Sequence, residues 1–212
     1  MLMPELSSHG VYADARCVLT GVHRGKKSRG GLRNYEKLSN DILLWMKEDS
    51  GPDSWFTTMV DYYDLPVNFP GCEACRSKAK ATERVECLES AFDADISSKL
   101  APAFGLKRFV PHIQLYEFET LLFTDAHKFL LRFPSAKEES LALAEICVKA
   151  KGPENIDGGA ATHPSRRIND AIRGYDKRSN GIELALAIGL PDIRAACPHF
   201  NAWVSRLERL AG

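Results

Sequence analysis

Within residues 109–123, Phe-Val-Pro-His-Ile-Gln-Leu-Tyr-Glu-Phe-Glu-Thr-Leu-Leu-Phe, the hydrophobic pattern changes period. The first half, through Leu115, alternates in the manner of a strand. In the second half Phe118, Leu121 and Leu122 share one face of a helix. A strand that hands over directly to a helix points to an α/β chain, in which ligands gather beyond the carboxyl ends of strands. Glu117 and Glu119 stand at this handover. Acids flanked by Phe118, Leu121, Leu122 and Phe123 are costly to hold without a cation or donors. The other reading has both side chains pointing to water at a helix start, where acids suit the dipole.

At 212 residues the chain fits one domain, or one domain with an elaboration. Lys plus Arg equals Asp plus Glu at 28 each, so a nucleic-acid partner would have to be met by a local patch. No apolar run approaches the roughly 18 residues of a membrane span, and no secretory segment is visible. Six cysteines scattered through a chain of this size suggest reduced thiols and a cytoplasmic location.

Residues 1–10 read as the tail of a helix closed by glycine, and residues 11–19 as a strand. An α/β chain normally opens with a strand, so either this fold begins with a helix or its start has been cut. Residues 21–33 carry five basic side chains and four glycines. There Arg24, Lys26, Lys27 and Arg29 could lie along a phosphate backbone, or simply solvate a loop. Residues 35–47 are amphipathic, with Leu38, Ile42 and Trp45 or Met46 on one face. Residues 55–60 read as a buried strand. Asp61 would end it and Asp64 would follow in the turn, as oxygen ligands for Mg²⁺ or as ordinary turn acids.

Cys72 and Cys75 form a C-x-x-C pair without the second ligand pair that a structural zinc site needs. Residues 76–100 are helical, with Val85, Leu88, Phe92 and Ile96 inward. Further helices follow, one beginning at Pro164. Arg166, Arg167, Arg173, Lys177 and Arg178 form a second basic run, either a phosphate clamp or partners for the many acids. Phe200, Trp203 and Leu207 are expected as core anchors.

Four segments together carry a resemblance: Asp61-Tyr-Tyr-Asp-Leu-Pro66, Gln114-Leu-Tyr-Glu-Phe-Glu-Thr-Leu-Leu-Phe123, Pro164-Ser-Arg-Arg-Ile168 with Gly174-Tyr-Asp-Lys177, and Cys197-Pro-His-Phe-Asn-Ala-Trp203. The chain resembles a bacterial Toprim-like family, catalogued as a domain of unknown function and commonly encoded beside an ATPase. That family is distantly similar to the overcoming-lysogenisation-defect nucleases. The resemblance implies a Toprim-like (Rossmann-like) mostly parallel sheet flanked by helices. Residues 1–123 would form that core, apparently without its first strand, and residues 124–212 a helical elaboration packed on it.

It further implies a nuclease dependent on Mg²⁺ or Mn²⁺, working as one arm of an anti-phage pair with an AAA- or ABC-type ATPase. Asp61, Asp64 and Glu119 would then bind metal and Glu117 would assist. Lys177, or Arg167, would steady the scissile phosphate, and Arg24, Lys26, Lys27, Arg29 and Arg166 would contact the strand. The family's opening V-E-G-x-x-E-like turn has no counterpart here, since Met1 falls inside the helix that should follow it. Two ions about 4 Å apart need several carboxylates, so that departure makes catalysis conditional. The alternative is a non-catalytic subunit that docks an ATPase or nucleic acid. A third reading is a cysteine-based zinc module.

Overall fold

A computed structural model describes residues 1–18, 21–23, 26–28, 32, 34–49, 51–100, 108–156, 159 and 162–211. The chain opens with α1 (Leu2–Ser8). It divides into two compact units, residues 14–113 and residues 1–13 with 114–212.

In the unit of residues 14–113, β1 (Gly21–His23) and β2 (Lys26–Ser28) pair antiparallel, with Val22 opposite Lys27. Helix α2 (Tyr35–Glu48) starts at Asn34, whose side chain accepts from the Glu36 N–H at 2.8 Å. It buries Leu38, Ile42 and Met46, so Met46 and not Trp45 completes the inward face. Then come β3 (Phe56–Thr57), β4 (Val60–Asp61), a single 3₁₀ turn over Tyr62–Asp64, and α3 (Cys72–Cys75). Helix α4 (Ala81–Lys99) follows, with Val85, Leu88, Phe92 and Ile96 inward as their spacing predicts. The rings of Tyr35, Phe69 and Phe109 meet Phe92 edge-on at 5.0–5.7 Å, forming an aromatic core. Gly71 precedes α3 at φ +79°, and a Cβ there would fall 2.7 Å from Ala91 Cβ, so glycine lets α3 close on α4.

Strands β5 (Phe109–Val110) and β6 (Ile113–Gln114) are as short as the others. The expected Toprim-like sheet is absent: among the described residues no sheet exceeds two strands, and every strand has two or three residues. The fold is mostly helical. Pro111 has no N–H for a ladder and breaks the run that reads as one strand. Across the break, the Thr58 hydroxyl substitutes for ladder bonds, accepting from the His112 N–H (3.1 Å) and donating to the His112 carbonyl (3.3 Å). Before the break, Phe56↔Phe109 and Thr57↔Val110 pair in parallel register. The strand expected over residues 11–19 does not form in residues 11–18, which are largely exposed.

A further correction concerns the cysteines. Cys75 is bonded to Cys87, with Cα atoms 5.7 Å apart across α3 and α4. That bond takes Cys75 out of the C-x-x-C zinc module and removes Cys75 and Cys87 from the expected reduced thiols, while Cys17, Cys72, Cys147 and Cys197 stay free.

Apart from Gln114 at the end of β6, the regular elements among the other unit's described residues are all helical. The helix Phe118–Leu131 is wound as 3₁₀ and breaks at Asp125 (φ −145°, ψ 89°). Around it follow α5 (Lys137–Ala150), a 3₁₀ turn (Pro153–Asn155), α6 (Pro164–Ala171), a π turn (Lys177–Gly181), α7 (Ile182–Ile188), α8 (Leu190–Ala196) and α9 (Pro198–Glu208). Proline stands in the first turn of α6, α8 and α9, where no N–H is needed. Leu121, Leu122, Phe123, Phe129, Leu143, Ile168, Ile193, Phe200 and Val204 are buried as its core. No described helix is long and apolar enough to cross a membrane.

Candidate functional site

The backbone turns sharply before the acid pair. Tyr116 is buried and holds φ at +60°, the left-handed region that a bulky residue rarely enters. Such outliers persist where surrounding structure enforces them, often at sites. The Thr120 hydroxyl donates to the Leu115 carbonyl at 2.9 Å, and the Thr120 N–H to the Glu117 carbonyl at 3.0 Å, fixing the entry into the 3₁₀ helix. Phe118 separates the two acids, so they leave the chain in different directions.

Glu117 reaches the start of α6. Its Oε2 accepts from the Ser165 N–H (2.8 Å) and its Oε1 from the Ser165 hydroxyl (2.9 Å). His163 Nδ1 lies 3.2 Å from Oε2 and 3.1 Å from Ser165 Oγ. Glu117 thus caps the N-terminus of a helix other than its own, satisfying an otherwise orphaned donor.

Glu119 has no exposed surface. Lys177 Nζ stands 2.9 Å from its Oε2 at ion-pair distance, yet among the described residues no hydrogen bond of acceptable geometry reaches either oxygen. Burial raises its pKa above the usual carboxylate range, Lys177 opposes that rise, and Glu117 adds to it. The Lys177 side chain is 44% exposed and lies 6.0 Å from the Phe118 ring centroid. The turn carrying it is locked by Asp176, whose Oδ1 accepts from the N–H and hydroxyl of Ser179, each at 3.0 Å. Those bonds hold the Asp176 carboxyl below its ordinary range.

Of the other predicted residues, Arg166 pairs with Asp170 at 2.8 Å on the exposed side of α6. Arg167 Nε donates to the Thr162 carbonyl. Asp61 ends β4 and is partly buried, and Asp64 is exposed in the following turn, both in the unit of residues 14–113. Lys26 and Lys27 lie in β2, whereas Arg24 and Arg29 lie outside the described residues. The structure therefore joins Glu119 to Lys177 and adds His163 and Ser165, which sequence reasoning had not named as site residues. Position alone could have flagged Ser165, one residue past a proline that starts a helix.

Side chains of metal-ligating type lie close together in both units among the described residues. In the unit of residues 14–113, buried His112 places Nδ1 3.6 Å from Glu89 Oε1, which accepts from the Ile113 N–H at 2.7 Å. The pair supplies one nitrogen and one oxygen ligand of a kind a divalent cation uses. In the other unit Glu5, His9 and Glu208 bring ligand atoms within 4.8 Å of one another. There the Arg194 guanidinium already grips Glu208, 3.0 Å from Oε2, and lies 3.7 Å from Glu5. Its charge neutralises those carboxylates, so this cluster ties α1 to α8 and α9 and is a poor metal site.

The family model described as Domain of unknown function (DUF4276) matches residues 1–208. No curated protein matches the chain, and no solved structure does. Nothing in these comparisons connects the chain to Toprim domains or to overcoming-lysogenisation-defect nucleases, and the nuclease and hydrolase identity drawn from that likeness falls with the parallel sheet.

Proposed function

The chain belongs to the DUF4276 family, and from that premise we propose that it is a divalent-metal-binding protein whose Glu119 site takes the cation together with a phosphate group of a nucleic-acid strand. The observation that carries this reading is the Glu119 carboxylate, wholly buried with both oxygens lacking a hydrogen bond. Such a group is expensive unless positive charge meets it, and the Lys177 ammonium stands at Oε2, leaving Oε1 without a hydrogen bond among the described residues. A hard, oxygen-seeking ion such as Mg²⁺ or Mn²⁺ suits a carboxylate donor. The residues fit: Glu119 would hold the ion, while Glu117 stays fixed on α6 and adds negative charge nearby.

A bound ion would supply Lewis acidity toward a phosphate oxygen. Lys177, half-exposed beside the carboxylate, supplies a positive charge that a phosphate can share. Arg166 and Arg178 carry further positive charge on exposed positions of the same unit. Electron paramagnetic resonance of Mn²⁺ titrated into the purified chain tests the proposal. Bound Mn²⁺ should be lost by about tenfold or more in affinity, roughly 1.4 kcal/mol, in Glu119→Gln. Equal Mn²⁺ binding by the variant and the unsubstituted chain would sink the reading.

A further inference from the structure

In the unit of residues 14–113 three cysteines meet around one turn of helix. Cys72 and Cys75 stand at the two ends of α3, and Cys75 is bonded to Cys87 of α4, their Cα atoms 5.7 Å apart. The turn between the first two is closed by the Cys75 N–H, which donates to the Gly71 carbonyl at 2.8 Å. Helical geometry places Cα atoms three positions apart about 5 Å from each other. Cys75 thus has two neighbours, Cys87 and Cys72, inside the span of roughly 4.4–6.8 Å that a disulfide bridges.

Cys75 is buried, so a thiol from solvent has little access to its sulfur, whereas Cys72 and Cys87 are each half-buried. The Cys75 sulfur lies against the residue that precedes Cys72: a Cβ on Gly71 would stand 3.2 Å from it. The Cys72 thiol is held only weakly, donating to the Pro66 carbonyl at 3.7 Å. Re-aiming it by one side-chain torsion therefore gives up little. Burial pushes that thiol above its ordinary range, with the Phe69 backbone and Arg76 working against the rise. Thiolate is then scarce at neutral pH, and exchange is slow enough to trap.

We infer that Cys72, Cys75 and Cys87 form a thiol–disulfide exchange site, in which the Cys72 sulfur displaces Cys87 from Cys75. Cys72 gives its proton to solvent, and its thiolate attacks the Cys75 sulfur. The Cys72–Cys75 bond forms as the Cys75–Cys87 bond breaks, and the electron pair leaves on Cys87, which takes up a proton. One thiol and one disulfide stand on each side, so no oxidant or reductant is consumed. The product closes α3 on itself and leaves α4 with a free, half-buried thiol and no covalent link to α3. This site is independent of Glu119, which belongs to the other unit.

The full chain, kept free of reductant, is incubated near the ordinary thiol pKa of about 8.5. It is then quenched in acid, alkylated in denaturant and mapped by mass spectrometry without reduction. Two populations should appear: Cys75–Cys87 with Cys72 alkylated, and Cys72–Cys75 with Cys87 alkylated. In Cys72→Ser, alkylation of Cys87 should fall about tenfold or more, because the attacking thiol is gone. Oxidised glutathione added to Cys87→Ser should drive formation of the Cys72–Cys75 bond, which checks the pairing without relying on the first variant. Equal alkylation of Cys87 with and without Cys72 overturns the inference. So does a chain with no Cys75–Cys87 bond, a map showing that bond alone, a Cys72–Cys87 bond in place of Cys72–Cys75, or a Cys87→Ser chain that gains only mixed disulfides with glutathione.

Discussion

The Lys177 ammonium lies 2.9 Å from Oε2 of Glu119, joining a half-exposed cation to a carboxylate with no exposed surface. The two partners are not equivalent. Freed of Glu119, Lys177 can turn to water, whereas Glu119 without Lys177 is left as a buried charge.

Lys177→Met should therefore destabilise the metal-free protein by about 2 kcal/mol at neutral pH. That is below the 3–5 kcal/mol of fully enclosed pairs, because protonation of Glu119 relieves part of the cost. The deficit should shrink on acidification, as the carboxyl takes up its proton. Saturating Mn²⁺ should raise the melting temperature of the variant more than that of the unsubstituted chain. Urea unfolding at several pH values, with and without Mn²⁺, measures all three effects.

Ser165→Ala removes the hydroxyl bond to Glu117 and keeps the backbone one. Its cost should be about 1 kcal/mol. Glu117→Ala removes both bonds and the His163 contact, and should cost about 2 kcal/mol, with faster amide exchange in the first turn of α6. Exchange rates unchanged in α6 would contradict the capping role.

Glu154 is buried, and burial raises its pKa although the N–H groups of His199 and Phe200 donate to it at 2.9 and 3.0 Å. A carboxyl whose folded pKa exceeds its unfolded value of about 4.5 binds its proton more tightly when folded. Its contribution is full below that unfolded value and is lost as pH rises through the folded pKa. The melting temperature of Glu154→Gln should accordingly fall less steeply from pH 4.5 upward than that of the unsubstituted chain. A parallel pair of curves would refute the assignment.

Arg194 bonds Glu208, Ser205 and Asn201 and lies 3.7 Å from Glu5 of α1. Arg194→Met strips the guanidinium from the nearly buried Glu208, leaving it the longer His9 contact at 3.7 Å, and loosens α1. Stability should drop by about 2 kcal/mol, and hydrogen exchange over residues 2–8 should accelerate more than elsewhere. Uniform exchange changes would show that Arg194 does not hold α1.

Phe92 is fully buried among Tyr35, Phe69 and Phe109. Phe92→Ala should cost about 3–5 kcal/mol by leaving a cavity in the aromatic core. Chemical denaturation of the variant checks the value.

The helical faces were legible because their cause is local. Leu38 and Ile42, and Val85, Leu88, Phe92 and Ile96, recur at helical spacing, and burial follows that spacing directly. Pro164 before Ser165 marked a helix start for an equally local reason. Residues 109–115 show where that logic stops. Alternation there matches a strand, but a sheet needs a partner edge, and Pro111 and the Thr58 hydroxyl decide that only short pairings form.

The candidate site divides the same way. The sequence by itself determined that two acids would stand at the start of the Phe118–Leu131 helix, because the change of period occurs there. Tertiary structure alone decided that Glu117 would be consumed in capping α6 while Glu119 would be buried beside Lys177. Spacing along the chain cannot distinguish those fates. Glu117 is held by His163 and Ser165, 46 and 48 positions further on, and Glu119 meets Lys177, which lies further still. Contacts that distant are made only when the chain folds back on itself, and no local pattern records them.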